Sequence, residues 1–247
     1  MKKKLFLLAG TAILLYSTAM AGEGGHWTYN GNEGPEHWGD LAPDFVMCKK
    51  GMNQSPVDLT GMIKADLSTL QVSYQPTALD VVNNGHTIKA DSSSASTITL
   101  NNHTYKLIQV HFHTPSENHI NGQSFPMEAH FVHADDTGNL AVIGLMYKEG
   151  EANNSLAPIW NNMPAAAGNT EKPSGMTLDT NAMLPVNRDY YRFNGSLTTP
   201  PCSEGVLWLV LKEPVSASKE QIEKFHATFH HDTNRPVQPL NARLVLE

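Results

Sequence analysis

Gln109-Val110-His111-Phe112-His113 sets two histidines two residues apart in a run of β-strand character. Alternate side chains of a strand point to opposite faces, so Gln109, His111 and His113 share one face while Val110 and Phe112 share the other. At ~3.3 Å per residue the two imidazoles stand roughly 6–7 Å apart along the strand, near enough to close on one metal ion. A second strand-like run, Met127-Glu128-Ala129-His130-Phe131-Val132, puts Glu128, His130 and Val132 on one face. With the two strands side by side, three neutral imidazoles converge and leave a fourth position open, the ligand set of a catalytic zinc site. His-x-His alone is a common pattern, and its neighbours strengthen it. Gln109 stands two residues before His111, and Glu128 two before His130, each on the face of its histidine. A metal-bound imidazole donates its other ring N–H to an amide, carbonyl or carboxylate. Glu128, set among the apolar Ala129, Phe131 and Val132, needs such a partner.

The chain has 247 residues, 40% hydrophobic and 17% charged, which describes a globular protein with a sizeable core and excludes disorder. Its formal charge is −7, and no Lys/Arg-rich tract follows the first few residues, so nucleic acid is not an expected partner. Lys2-Lys3-Lys4, the apolar run Leu5 to Leu15 and the small-residue site Ala19-Met20-Ala21 read as a signal peptide over 1–21. The alternative, a membrane anchor, meets an apolar run too short to span a bilayer, and no second hydrophobic span follows. The expected mature chain is a single domain, 22–247, exported to the periplasm or secreted, with no stable membrane insertion. Cys48 and Cys202 are the two cysteines. An oxidising compartment favours a disulfide between them over two buried thiols, and their spacing to the histidines speaks against zinc ligation.

Residues 22–58 are rich in Gly, Trp, His, Asn and Pro and read as an irregular segment whose aromatic residues pack onto the domain. From about 67 to 148 short β-rich runs alternate with turns: Val72–Tyr74, Leu79–Val82, Thr87–Ala90, Thr97–Leu100, Tyr105–Ile108 and Leu140–Met146. Leu156 to Met163 reads as a short helix closed off by Pro164, and Gly168 to Leu184 as loop before a strand near 190–193. Gly205 to Lys212 is a continuous apolar run, the mark of a central strand. One clear helix covers about 219–230, with Ser218 as cap, Gln221 at the capping-box position and Ile222, Phe225 and Phe229 as its buried stripe. The expected fold is mainly β, one domain built on a large, mostly antiparallel twisted sheet with a few short helices.

In order along the chain stand Gly34-Pro35-Glu36-His37-Trp38, Gln54-Ser55-Pro56-Val57, Asn84-Gly85-His86, His111-Phe112-His113, Ser116-Glu117-Asn118, Glu128-Ala129-His130, Ser196-Leu197-Thr198-Thr199-Pro200-Pro201 and Arg235-Pro236-Val237-Gln238-Pro239-Leu240. With these landmarks the whole mature chain resembles an α-class carbonic anhydrase of the secreted bacterial kind. The resemblance implies reversible hydration of carbon dioxide to bicarbonate and a proton, with His111, His113 and His130 holding Zn2+ and zinc-hydroxide as nucleophile. It implies catalytic roles for Thr198, whose hydroxyl accepts a hydrogen bond from the hydroxide, and for Glu117, which accepts the hydrogen of Thr198. A carboxylate only accepts, so Thr198 must donate to it and keep its lone pairs for the hydroxide.

His86 is similar to the family's proton shuttle, a task suited to a side chain with an unperturbed pKa near 6.5. Tyr29 and Asn84 match residues that order the connecting waters. Val132, Val142, Leu197, Val206 and Trp208 match the apolar wall that holds carbon dioxide, and Thr199 a residue that assists bicarbonate. Cys48 and Cys202 match the disulfide of secreted members, and Ser55-Pro56 and Pro200-Pro201 match bonds that are cis in the family. Sulfonamides and anions are the inhibitors such a site implies, and a homodimer is an assembly open to it. One departure is Lys89, where well-studied relatives carry an amide; a cation there is expected to lower the shuttle's pKa. The residues leave two rival readings, a catalytically silent binding module and a different zinc hydrolase. Silent relatives typically lose a zinc histidine, and this chain keeps all three with Glu117 and Thr198. Other zinc hydrolases usually add carboxylate ligands or a second metal.

Overall fold

The computed structural model describes residues 25–247; the leader read over 1–21 and the mature start at Gly22 lie outside them. Eleven strands make the main sheet: β1 (Gln71–Ser73), β2 (Val81–Asn83), β3 (Ile88–Asp91), β4 (Thr97–Leu100), β5 (His103–His113), β6 (Met127–Ala134), β7 (Leu140–Glu149), β8 (Thr170–Glu171), β9 (Tyr190–Ser196), β10 (Glu204–Leu211) and β11 (Val215–Ala217). Their main order is β8-β2-β3-β5-β6-β7-β10-β9, with β4 also on β5, β1 on β4 and β11 on β7. The pairings are antiparallel except those of β7 with β10 and with β11. β7 is apolar without alternation because both of its faces are covered: Val142, Ile143, Leu145, Met146 and Tyr147 are all buried.

The strand that opened the sequence reading is longer than its motif. Tyr105–Ile108 and Gln109–His113 form one strand, β5, with a register shift between Leu107 and Gln109. Leu107 lies opposite His133 and Gln109 opposite Val132, so Ile108 is the extra residue of a bulge. Without it Leu107 and Gln109 would share a face. With it Leu107 turns into the core, with Val110 and Phe112, while Gln109, His111 and His113 turn to the other side. The same shift brings His111 directly opposite His130 and His113 opposite Glu128.

The core face of the sheet gathers Val110, Phe112, Ala129, Phe131, Ile143 and Leu145 with Phe225 and Phe229 of the C-terminal helix Lys219–Phe229. Phe112, Phe131 and Phe225 are fully buried, each contributing about 1.5–3 kcal/mol by removal from water. The helix carries the capping box anticipated from Ser218 and Gln221 and stops where His230 takes the left-handed conformation. Other boundaries differ. The segment expected to be a helix over 156–163 is a 3-10 turn, Asn154–Leu156, and one α-turn, Ala157–Trp160. The loop expected over 168–184 contains β8, the short strand Thr177–Leu178 and the 3-10 turn Thr180–Met183. The strands there are two residues long and held by pairing, so no periodicity announces them.

The N-terminal segment holds four short helical turns, Gly31–Glu33, Trp38–Leu41, Pro43–Phe45 and Met47–Lys50. Its Trp27, Tyr29, Trp38 and Phe45 pack into a cluster with Cys48 and Cys202, so the aromatic residues dock as expected while the backbone is more ordered. Cys48 and Cys202 are disulfide-bonded across 154 residues of sequence, a closure worth about 5 kcal/mol in the chain-entropy view. Arg235, 1% exposed, pins this segment from below. Its guanidinium donates to the carbonyls of Cys48 and Ser55 and to Gln54 Oε1 at 2.8–2.9 Å, beneath the Trp38 ring. Ser55-Pro56 and Pro200-Pro201 are cis, and so is Thr114-Pro115.

His133 is the one histidine of β6 that faces the core, where it is fully buried. The Tyr74 hydroxyl lies 2.7 Å from its Nε2, and its Nδ1 is 3.2 Å from the Ala141 carbonyl, to which it donates. Burial pushes its pKa down from 6.5 to about 4. Between those values the unfolded chain binds a proton that the native state does not. Its contribution to stability is therefore full above about pH 6.5 and is lost as pH falls towards 4. We predict that urea unfolding shows a loss of about 3 kcal/mol from this residue over that window. His133→Gln, which still offers Tyr74 a partner, should flatten the profile; an unchanged slope would assign the acid lability to other groups.

Candidate metal centre

The bulge in β5 and the register with β6 bring His111, His113 and His130 together, with one ligand atom from each within 4.8 Å of the others. Each ring has one nitrogen engaged outward. The Nδ1–H of His111 donates to Gln109 Oε1 at 3.0 Å, and that of His113 to the Thr233 carbonyl at 2.6 Å. His130 Nε2 lies 3.0 Å from Glu128 Oε1, an electrostatic contact off the line of a full hydrogen bond. The nitrogens left to face inward are Nε2 of His111, Nε2 of His113 and Nδ1 of His130. His113 and His130 are buried while His111 is only half-buried, so the centre opens to solvent on the His111 side.

Electrostatics hold all three rings neutral. Burial lowers the pKa of His111 well below its usual value, with His113, His130 and Lys89 adding to the effect. Burial also takes His113 down to about 4, opposed by the Thr233 carbonyl and Glu128, and lowers His130, with His113 adding to it. Neutral imidazole is the form that binds a metal. His113 Nε2 and Glu117 Oε2 are both buried without a hydrogen-bond partner, 3.4 Å apart. An orphaned imidazole nitrogen beside an unsatisfied carboxylate oxygen, with two more imidazole nitrogens close by, fits a single cation. Three histidines are the donor set of zinc with an open fourth position.

Glu128 is the rigid member. Its Oε2 accepts from the backbone N–H groups of Glu117 and Asn118, and its Oε1 from the Asn118 amide, all at 2.8–2.9 Å. Gly144 on β7, opposite His130, leaves the space it needs: a Cβ there would stand 2.8 Å from Glu128 Oε1. Glu117 is held by the Arg235 backbone N–H at 2.8 Å. Burial raises its pKa well above the ordinary carboxyl value, and hydrogen bonding from the Arg235 amide and the Thr198 side chain pulls it back. Thr198 is buried and Thr199 half-buried beside it. Val142, Val206 and Trp208 pack in one apolar cluster with the partly buried Val132 and Leu197, and the Trp208 ring lies edge-on to His130 at 4.8 Å.

The remaining residues singled out in the sequence lie further out. His86 stacks on Trp27, with ring centroids 3.7 Å apart. Burial, His26 and His231 lower its pKa to about 4. The lowering expected from Lys89 has these other sources, because Lys89 is paired with Asp91 at 2.6 Å and its charge acts on His111. Asn84 is exposed, and its Oδ1 accepts from the N–H groups of His86 and Thr87, which shapes the turn that presents His86. The Tyr29 hydroxyl is buried, without a hydrogen-bond partner, and its pKa is raised by burial and by Glu117. Thr233 and Arg235 had no role assigned from sequence. One acts through a backbone carbonyl, which leaves no mark on residue type; the other stands in the quoted Arg235-Pro236 motif.

A family model described as eukaryotic-type carbonic anhydrase matches residues 33–247. The chain belongs to the carbonic anhydrase family. The carbonic anhydrase of Pectobacterium atrosepticum is 48% identical over 229 residues, covering 93% of both chains, and that of Neisseria gonorrhoeae 47% over 244 residues, covering 98% of this chain and 95% of its own. Among solved structures, the α-carbonic anhydrase of Thermovibrio ammonificans, in complex with the inhibitor sulfanilamide, superposes with a TM-score of 0.88. It is 50% identical, over 91% of this chain and all of that one. The protein is thus an enzyme of a zinc-dependent lyase family, with the mixed, mostly antiparallel sheet of α-carbonic anhydrases.

Gly144 gives the support around His130 a direct test. Gly144→Ala should displace Glu128 Oε1 and weaken zinc binding by about 10–100-fold in competition with a chelator. Affinity equal to that of the parent would show that the position of Glu128 does not matter to the metal.

Proposed function

We propose that the protein catalyses the reversible hydration of carbon dioxide to bicarbonate and a proton, with His111, His113 and His130 holding Zn2+. The observation that carries this reading is the inward convergence of three neutral imidazoles, two buried and one half-buried, beside an apolar wall. Bound zinc supplies an acidified water, with a pKa of about 7, a magnitude characteristic of carbonic anhydrases as a class and carried over from them.

The protein's own residues orient and isolate that chemistry. Thr198 donates its hydrogen to Glu117 and turns its lone pairs to the nucleophile, which fixes the direction of attack. The Arg235 amide and the Thr198 hydroxyl, both hydrogen-bonded to Glu117, favour its acceptor form against the effect of its burial. Val132, Val142, Leu197, Val206 and Trp208 offer carbon dioxide, a substrate without charge or dipole, an apolar surface beside His130. Thr199 is placed to meet bicarbonate as it forms. His86, at the half-exposed turn held by Asn84, takes the proton outward, across waters ordered by Tyr29. The same centre would take sulfonamide and anion inhibitors, in line with the sulfanilamide complex of the Thermovibrio ammonificans relative.

The leader read at residues 1–21 and the Cys48–Cys202 bond support export to the periplasm or outside the cell. Among the described residues no helix is long and apolar enough to cross a membrane.

Purified protein should hold about one zinc per chain and hydrate carbon dioxide in stopped-flow assays, with sulfanilamide inhibiting. His111→Ala should lose both metal and activity; an active, metal-free His111→Ala protein would sink the assignment. Mass spectrometry of the exported protein should place its N-terminus at Gly22, and retention of residues 1–21 would turn the leader into an anchor.

A further inference from the structure

An aromatic wall runs along one side of the site with a histidine at each end. His86 stacks flat on Trp27, at 3.7 Å and 10° between the planes. Trp27 packs edge-on against Tyr29 at 5.4 Å, and the ring of His231 stands 6.2 Å from that of Tyr29. In the middle of this row the Tyr29 hydroxyl is buried, has no protein partner and lies within the field of Glu117, the carboxylate beside His113. Tyr29 therefore bridges the space between the metal-facing groups and His231.

The two terminal histidines differ in how their rings are held. His86 has one ring face covered by Trp27, and burial with His26 and His231 holds its pKa at about 4. Stacked in this way His86 is a weak proton acceptor. His231 is half-buried at the end of the C-terminal helix. Its Nδ1–H donates to the Asp232 carbonyl at 2.8 Å, so Nε2 keeps a free lone pair. The groups around it are Tyr29, His86, Phe229 and Asp232, and the Asp232 carboxylate is engaged with His226 at 3.1 Å. From sequence alone His231 reads as a solvent-facing histidine just past a helix; the fold turns it to the site.

We propose that His231 is a second proton acceptor of this enzyme, reached by way of Tyr29 while His86 is stacked on Trp27. The proton leaves the acidified water, joins Nε2 of His231 to give an imidazolium, and is released to buffer. The inference rests on the carbon dioxide hydration reading above.

The test uses zinc-loaded protein in dilute buffer too bulky to enter the site. His86→Ala should keep part of the parent kcat, and His86→Ala/His231→Ala should lose at least about tenfold more, with kcat/KM unchanged and imidazole restoring the rate. His86→Ala/His231→Asn, whose amide can still donate to the Asp232 carbonyl, should be as slow as the alanine double variant, separating proton acceptance from a structural role. Independently of activity, NMR should show the His86 imidazole titrating at higher pH in His231→Ala, because the neighbouring ring that lowers its pKa is gone. Double variants that turn over as fast as His86→Ala would overturn the proposal and leave the hydration reading intact. Absence of hydration by the parent enzyme would instead remove the reading on which it rests.

Discussion

Everything at the metal centre depends on which nitrogen of each imidazole faces inward. Three chemically different acceptors decide this: a side-chain amide at Gln109, a main-chain carbonyl at Thr233 and a carboxylate at Glu128. An imidazole whose outer nitrogen lacked such a partner could present either tautomer, and the inward lone pair would be lost part of the time. His113 and His130 are buried, so a wrong tautomer there could not be corrected by water. The acceptors are themselves fixed, Glu128 by three donors and by the close approach of Gly144, and Thr233 by its place between the last helix and Arg235.

Around that constraint the charges are few and mutually dependent. Two carboxylates, Glu117 and Glu128, and one guanidinium, Arg235, are buried within the same region as three imidazoles kept neutral by burial. Buried charges of this kind are strongly destabilising unless hydrogen-bonded or paired. Asn118, the Glu117 and Arg235 amides and the carbonyls of Cys48 and Ser55 meet most of the demand. Glu117 Oε2, His113 Nε2, His130 Nε2 and Arg235 Nε stay unsatisfied, and the first two, 3.4 Å apart, mark the place where a cation belongs.

Much of this was legible in the sequence because strands alternate. The two-residue period of β5 and β6 placed His111, His113, His130, Gln109 and Glu128 on one side and Phe112 and Phe131 on the other, and the structure keeps that division. What the period could not show was the bulge at Ile108, which joins two apparently separate runs, because a bulge changes register without changing composition. The cis bond before Pro115 and the part played by Thr233, which acts through its backbone, leave no mark on residue type either. The helical turns of the N-terminal segment are one turn long, too short for a period, and are fixed by docking onto Arg235 and the disulfide. Lys89 was legible as a departure but not in its effect, since its partner Asp91 and its neighbour His111 are matters of pairing across strands.

Arg235 has a temporal consequence. Its guanidinium holds the carbonyl of Cys48, 187 residues earlier in the chain, and its amide holds Glu117, while His113 relies on Thr233 from 120 residues away. Such long closures are paid in chain entropy before any contact rewards them, which makes them late events in folding. A chain synthesised from its N-terminus can pair β5 with β6 early, yet no metal centre with defined tautomers exists until residues 233–235 have joined it. A metal centre would thereby wait for a stretch far downstream of its three histidines, and a chain cut short before that stretch would carry all three without a site.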